Sequence, residues 1–426
     1  MWFAVTFFMM LGLTTVWWST VALIRIGTLR KATPEQRAQP RLRPSDVAIL
    51  VAARNEESVI GETVRAACKL VPPRQVFVIS DDSSDGTVAI ARAHGARVME
   101  LVRNRGKAGA IVAGIRHFDL AGRFKVVMLL DADSRPADDY LETGLPLFEQ
   151  PGVVAVAGRA TTLSDPGLSR WGVLLTSYRE RTYVAVQTMH KFGQAASKAN
   201  AVAIVPGFAS MYRTEILEHV DIDAPGLAIE DYNMTFEIHS KRLGRVAFDP
   251  RAARAYTQDP DSLHEYIKQM SRWNLGFWQT LLRHRLQARV FWVAVVLFAF
   301  EVVVSSVLLL VLLPLLAFEL VQTLAVQSGV GWPESLDLPL PVGMIVLGML
   351  IPDYLVTLYV AVCARKMRYI VMAPAFTFLR IVDAYVCLRA LRRALSSSSN
   401  GAWSSPTRRA ISTPAVREPD LVHNAH

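Results

Sequence analysis

A chain of 426 residues, 52% of them apolar, has room for two or three domains and a full core. Its three cysteines, Cys68, Cys363 and Cys387, form no CxxC pair, which argues against a disulfide framework or a cysteine zinc site. The formal charge of +9 is a weak pointer to nucleic acid, because many basic residues flank apolar segments where lipid headgroups account for them better, and no nucleic-acid partner is expected.

Residues 2–24, WFAVTFFMMLGLTTVWWSTVALI, carry no charge and are long enough to cross a bilayer. Lacking a basic n-region and a small-residue cleavage pattern, they read as a retained anchor, residues 1–25, rather than a secretory signal. Arg25, Arg30, Lys31, Arg37, Arg41 and Arg43 follow, and no basic residue precedes. The positive-inside rule therefore predicts an outside N-terminus and a cytoplasmic domain after it.

Residues 44–260 read as a soluble α/β domain. DVAILVAARNEE (46–57) is a first strand, followed by a helix to about Leu70. QVFVISDDSSDGT (75–87), ARVMELV (96–102) and VVMLLDADSRP (126–136) are further strands, with helices over Asp85–His94 and Lys107–His117 between them. Continuous apolar strands separated by helices predict a mostly parallel, Rossmann-like sheet covered on both faces. Ligands bind beyond the carboxyl ends of such strands, so Arg54–Asn55–Glu56, Asp81–Asp82 and Asp131–Asp133 should open onto one crevice.

Asp131 and Asp133 project to the same side if the backbone there is extended. Their repulsion is resolved by a hard divalent cation that keeps sites for phosphate oxygens; the alternative is a plain turn. Asp81 and Asp82 are turn residues, with Asp85 capping the next helix, or acceptors for a uracil ring or ribose hydroxyl. Lys107, in NRGKAGA (104–110), is a solvated lysine or a phosphate ligand at a helix start. Glu230 and Asp231 are first-turn acids favoured by a helix dipole, or supply a general base for an acceptor hydroxyl.

Residues 261–289 form an amphipathic interface helix that starts at a Ser262-x-x-Glu265 capping box. Gln269, Arg272 and Trp273 share one of its faces. An indole offers a surface for a sugar ring and a guanidinium a fork for diphosphate; Trp and Arg at headgroup depth are the alternative, and both can hold. Residues 290–395 carry transmembrane and interface helices: an interfacial segment to about residue 300, a span from there, a second span over Leu338–Val362, and a surface helix over Tyr369–Leu391. Within the last, Arg380 and Asp383 are spaced to pair with each other. Residues 396–426 are a polar, cytoplasmic tail.

These residues, in chain order over about 46–283, resemble the family-two, GT-A-fold glycosyltransferases. Among them the chain is most similar to the membrane-embedded synthases of poly-N-acetylglucosamine, hyaluronan, chitin or cellulose. VAARNEE and SDDSSDGT look like the nucleotide-binding strands, NRGKAGA like the diphosphate loop, and DADS like the metal motif. PGFASMYR looks like the acceptor-side segment, IED like the base motif and QMSRW like the QxxRW signature. GAWSSPTRR (401–409) looks like a tryptophan-containing gating loop. Ser83, where the family often has glycine, and Ile229, where threonine is common, depart from the pattern.

The resemblance implies a metal-dependent hexosyltransferase of inverting mechanism, using a UDP-sugar donor with Mg²⁺ or Mn²⁺. Asp231 would be the base and Glu230 its catalytic neighbour. Ala53, Asn55, Glu57, Asp81, Asp82, Lys107, Asp131, Ala132 and Arg272 would bind nucleotide, and Asp131 and Asp133 the metal. Gly207, Phe208, Gln269 and Trp273 would bind the acceptor, and Trp403 and Arg408 would gate the site. The expected partners are the donor, a carbohydrate or lipid-linked acceptor and membrane lipids, with an accessory subunit or homo-oligomer left open. The expected location is a bacterial-type cytoplasmic membrane. Elongation of a β-linked polysaccharide competes with transfer of one sugar to a lipid, glycolipid or protein. A nucleotide-regulated transporter or receptor rests only on Glu301, Asp353 and Asp383 in apolar surroundings.

Overall fold

The computed structural model describes residues 1–29, 42–163, 165–329 and 342–396. Strands β1 (Val47–Ala53), β2 (Val76–Asp81), β3 (Arg97–Leu101) and β4 (Val126–Asp131) pair in parallel. Beyond them come β5 (Ser134–Pro136), β6 (Val153–Ala157), β7 (Arg159–Thr162), β8 (Ala209–Arg213), β9 (Arg245–Ala247) and β10 (Arg254–Thr257). The main sheet has seven strands in the order β3-β2-β1-β4-β8-β6-β9, with β8 antiparallel to both its neighbours. A second sheet has three, in the order β5-β10-β7. The expected mostly parallel α/β fold is therefore found.

Helices α1 (Trp2–Leu11) and α2 (Leu13–Leu29) precede the sheet. Within the domain lie α3 (Ile60–Leu70), α4 (Thr87–Ala93), α5 (Gly106–His117) and the short α6 (Leu120–Arg123) and α7 (Tyr140–Gly144). Helix α8 (Arg170–Ala185) runs through a π-helical stretch, Val186–Lys191, into α9 (Phe192–Gln194). Then follow α10 (Asp231–Ser240), α11 (Leu263–Arg283), α12 (Val290–Gln327), α13 (Val342–Cys363) and α14 (Arg368–Ser396).

Strand β1 is buried along its whole length because the pleat sends its side chains into two cores. Ala48, Leu50 and Ala52 join Ala110 and Ile111 of α5 on one face. Val47, Ile49 and Val51 join Ile60, Val64 and Ala67 of α3 on the other. Register then aligns the strand ends: Ala53 lies beside Ser80, and Ala52 beside Asp131. The carboxyl ends of β1, β2 and β4 thus share one edge, where the crevice was expected.

Among the described residues three helices, α12, α13 and α14, are long and apolar enough to cross a membrane. The N-terminal segment expected as an anchor is built of two helices, α1 and α2, that meet at a 62° bend. Gly12, at φ +81, makes the break, and Glu301 explains it. The Glu301 carboxylate accepts from Thr14 N at 3.0 Å, at the positive end of α2, and from the Thr14 hydroxyl. A Cβ on Gly12 would lie 2.9 Å from Glu301 Oε2, so only glycine suits both the angle and the approach.

Two expectations are corrected. No break near residue 300 divides an interfacial segment from a span, since α12 runs unbroken for 38 residues. The segment expected to lie as a surface helix over 369–391 belongs to the 29-residue α14, which packs against α11, α12 and α13. Tyr178 of α8, Tyr266 of α11, Val360 of α13 and Phe376 of α14 meet in one apolar cluster, tying these helices to the sheet domain.

Candidate functional site

The loop after β1 is locked to the loop after β2. Asn55, in a left-handed conformation (φ 53), donates from its backbone to Ser83 Oγ at 3.2 Å and accepts from Ser84 N at 2.9 Å. Glu57 accepts from Gly86 N at 2.9 Å. Both were expected at the nucleotide; in the structure their side chains hold the loops after β1 and β2 together. Ala53, also expected there, is fully buried. Asp85 Oδ1 accepts from Thr87 N at 3.0 Å, the helix-start role expected of it.

Asp81, also fully buried, accepts from Arg105 N at 2.7 Å through Oδ1 and so holds the loop that leads to Lys107. Its Oδ2 is buried without a hydrogen-bond partner among the described residues. Burial pushes this carboxyl up, although the amides of Arg105 and Gly106 oppose the shift. An orphaned acceptor here suits a ligand N–H or O–H. Asp82 is exposed, with φ 59, and lies 3.9 Å from Arg54.

Beyond β4 the chain does not stay extended. It turns through Ala132 and Asp133 before β5, so the turn, and not the pleat, sets how Asp131 and Asp133 are displayed. Thr63 Oγ1 of α3 donates to the Ala132 carbonyl at 2.6 Å and pins that turn. Asp133 is buried, and its charge adds to the repulsion on Asp131. The pair fits a hard cation, being two carboxylates that supply oxygen donors. Among the described residues no cluster of three or more His, Cys, Asp or Glu forms a metal site, so further ligands would come from the nucleotide and water.

Lys107, at the start of α5, pairs with Asp131 at 2.7 Å and with Glu230 at 2.8 Å. Burial alone would lower its pKa, but the two carboxylates hold it above the usual lysine range. Burial likewise pushes Glu230 up, yet the Lys107 ammonium outweighs this and holds its carboxyl below the usual range. Asp231, next in sequence, makes no ion pair among the described residues, although the Lys107 charge still reaches it. Among the described residues its carboxylate accepts from two backbone N–H groups, those of Tyr232 at 2.8 Å and Gly207 at 3.3 Å. Burial and the Glu230 charge push it up to about 6. Two adjacent acids thus differ: Glu230 is ion-paired and held low, while burial and the Glu230 charge raise Asp231.

Gly207 is needed for this packing: a Cβ there would lie 2.9 Å from Lys107 Nζ and 3.0 Å from Glu230 Oε1. The neighbouring Phe208 carbonyl accepts from Asp131 N at 2.9 Å, so both acceptor-segment residues also hold the acids in place.

Ser262 starts α11 as expected, accepting from Glu265 N at 3.3 Å. Arg272 is exposed, and its charge reaches Glu230. Gln269 Oε1 is buried with no hydrogen-bond partner among the described residues. The partly buried Trp273 has the Arg179 guanidinium 4.3 Å from its ring centroid. Trp403 and Arg408, expected to gate the site, lie outside the described residues.

Sequence reasoning missed α8. Its consecutive Arg179, Glu180 and Arg181 diverge around the helix to three different partners. Arg179 lies 3.3 Å from Asp259; Glu180 pairs with Lys366 at 2.8 Å and accepts from Tyr369 at 2.6 Å. Arg181 donates to Thr357 Oγ1 at 2.8 Å and pairs with Asp353. The available signal was the run SYRERTY, since three successive charges on a helix cannot share one solvent face. The expected Arg380–Asp383 pair is also corrected. Arg380 turns to Asp353 at 3.0 Å, while Asp383 accepts from Tyr178 and Tyr266, both at 2.7 Å, because neighbouring helices offer closer partners.

Comparisons with known proteins bear on the family and the fold. The chain is 26% identical over 243 residues to the poly-β-1,6-N-acetyl-D-glucosamine synthase of Staphylococcus epidermidis, covering 56% of each chain. It is 28% identical over 276 residues to the probable glycosyltransferase YdaM of Bacillus subtilis, covering 61% of each. The match to the β-monoglucosyldiacylglycerol synthase of Synechocystis is 31% over 169 residues, 36% of this chain and 35% of that one. The chain thus spans little more than half the length of the first two relatives. In fold it is similar to the mannosyltransferase PcManGT of Pyrobaculum calidifontis, solved with GDP-Man and Mn²⁺, at a TM-score of 0.51 and 18% identity over 91% of this chain and 99% of that one. Residues 44–276 match the family model described as "Glycosyltransferase like family 2". With more than half of its length inside that model, and its acids placed as described, the chain belongs to glycosyltransferase family 2.

Proposed function

We propose that this glycosyltransferase transfers a sugar, with inversion, from a UDP-sugar to the end of a growing β-linked polysaccharide, with its catalytic domain on the cytoplasmic side of a membrane. The observation that carries the transfer reaction is the contrast between Glu230, paired with Lys107, and Asp231, raised to about 6 beside it. The likeness to a poly-β-1,6-N-acetyl-D-glucosamine synthase supports a polymer product.

Asp231 takes the proton from the acceptor hydroxyl as that oxygen bonds to the sugar's anomeric carbon from the face opposite the nucleotide. The bond from the anomeric carbon to the β-phosphate oxygen breaks, and its electron pair leaves with UDP. Asp131 and Asp133 would hold Mg²⁺ or Mn²⁺, which when bound supplies positive charge to the leaving diphosphate. Arg272 adds a guanidinium on the same side, and Lys107 keeps Glu230 and Asp131 charged and in place. The orphaned Asp81 Oδ2 accepts from the nucleotide base or ribose, and Trp273 presents its ring to the acceptor sugar.

A second reading, transfer of one sugar to a lipid-linked acceptor, is favoured by the match to β-monoglucosyldiacylglycerol synthase and by the apolar helices α12 to α14 beside the domain. A UDP-release screen over UDP-sugars, with Mg²⁺, Mn²⁺ or EDTA, tests the proposal. Metal-dependent release with a ladder of lengthening product is expected. Release that stops after one addition to a lipid selects the second reading, and no turnover of any UDP-sugar by folded protein overturns both.

A further inference from the structure

Arg179 belongs to none of the sequence motifs, yet its surroundings are built around it. Only 2% exposed, it lies with its guanidinium carbon 4.3 Å from the Trp273 ring centroid. Nε is 3.3 Å from Asp259 Oδ1, Nη2 donates to Tyr183 Oη at 2.9 Å, and Nη1 is 3.3 Å from Met270 Sδ. Tyr183 in turn donates to Asp259 Oδ1 at 2.9 Å, closing the arrangement. A buried ion pair is weak as a device for stability, because an apolar residue of similar volume would serve as well or better. What it adds here is a fixed, flat, cationic surface against one tryptophan.

Placement strengthens the point. Trp273 directly follows Arg272, one helical turn after Gln269, and α11 passes beside α8. The residues after Arg179 reach the C-terminal helices, Glu180 through Lys366 and Tyr369, and Arg181 through Asp353 and Thr357. The bearing of α8 is therefore set from the helical side and passed to the crevice through Arg179.

We infer that Arg179 is a positioning residue which, braced by Asp259 and Tyr183, holds the Trp273 indole in the orientation that receives the acceptor. This rests on the reading of Trp273 as the acceptor platform, and the test separates the two. The full chain in detergent is assayed for donor KM, acceptor KM and kcat. The donor is whichever UDP-sugar is turned over, and the acceptor a short β-linked oligosaccharide of the same sugar. Trp273→Ala is expected to raise acceptor KM about tenfold or more. The double variant Arg179→Met/Asp259→Asn removes both charges together, so no uncompensated ion remains buried. It is expected to raise acceptor KM about five- to tenfold with donor KM changed less than about twofold. Arg179→Lys, which keeps the charge but loses the planar fork, is expected to fall between wild type and the double variant.

If Trp273→Ala leaves acceptor KM unchanged, the platform reading falls and the inference with it. If Trp273→Ala raises acceptor KM but the double variant does not, the platform stands and the inference is overturned. A fall in kcat with both KM values unchanged would mark Arg179 as merely structural and also overturn it. Should the double variant fail to fold, Arg179→Lys decides: a rise confined to acceptor KM supports the inference, and wild-type KM values overturn it.

Discussion

The crevice and the helical layer beside it both bury acids, and they treat them in opposite ways. Among the helices, Asp353 meets Arg181, Arg380 and the Thr377 hydroxyl, Asp383 accepts from two tyrosines, and Glu301 caps α2 through Thr14. In the crevice one lysine serves Asp131 and Glu230, while Asp231 has only backbone amides and Asp81 keeps an orphaned oxygen. A buried acid with complete partners is architecture; one left short of partners holds its charge at a cost that a substrate, metal or proton can relieve. This is why the nucleotide-regulated pore, which leaned on Glu301, Asp353 and Asp383, gains no support from their surroundings.

The contrast can be broken most directly at Asp231. Asp231→Asn is expected to lower kcat by about 10³-fold while leaving the fold intact, as read by UDP release and thermal unfolding. Its folded pKa, about 6, lies above the ordinary 3.8, so ionisation costs folded-state stability as pH rises through that window. The substitution should therefore stabilise the protein by about 1–3 kcal/mol above pH 7, and wild-type activity should fall as pH drops through about 6. Equal destabilisation and inactivation would mean that the acid is structural.

The opposite signature is expected of Asp353→Ala. Arg181 and Arg380 would be left buried without their acid, for a loss of about 3–5 kcal/mol in unfolding free energy, while kcat per folded molecule changes little. Lys107→Met should do both. Activity falls about 10²-fold, and because Lys107 lowers the Asp231 pKa, the acid limb of the pH–rate profile moves to higher pH. An unmoved limb would remove Lys107 from the electrostatics of the base. Smallest is Glu301→Gln, expected to cost about 1 kcal/mol or less through the weakened cap of α2, with activity unchanged.

Much of the crevice was legible before any coordinates. Strands β1 to β4 could be read because continuous apolar runs bounded by helical periods allow few other arrangements, and Ser262 because a cap is a local hydrogen bond. The motif acids were legible by type, but their division of labour was not. Asn55 and Glu57 turned out to brace loops, because the backbone donors that claim them lie about thirty positions away. How Asp131 and Asp133 are displayed could not be read from the strand, because the pleat rule stops where the strand stops and a turn follows. Arg179, Asp259 and Tyr183 were missed because nothing local marks a cation that finds its acid some eighty positions later.

By itself, then, the order of residues determined the parallel sheet, the edge at which the ends of β1, β2 and β4 meet and the acids placed there, because strand periodicity and chain direction are local properties. Tertiary structure alone decided which of two adjacent acids pairs with a lysine and which is pushed up by burial, where the N-terminal helix breaks, and which arginine lies against Trp273. Each of those depends on burial and on a charge supplied from a distant part of the chain, and neither quantity exists until the elements pack.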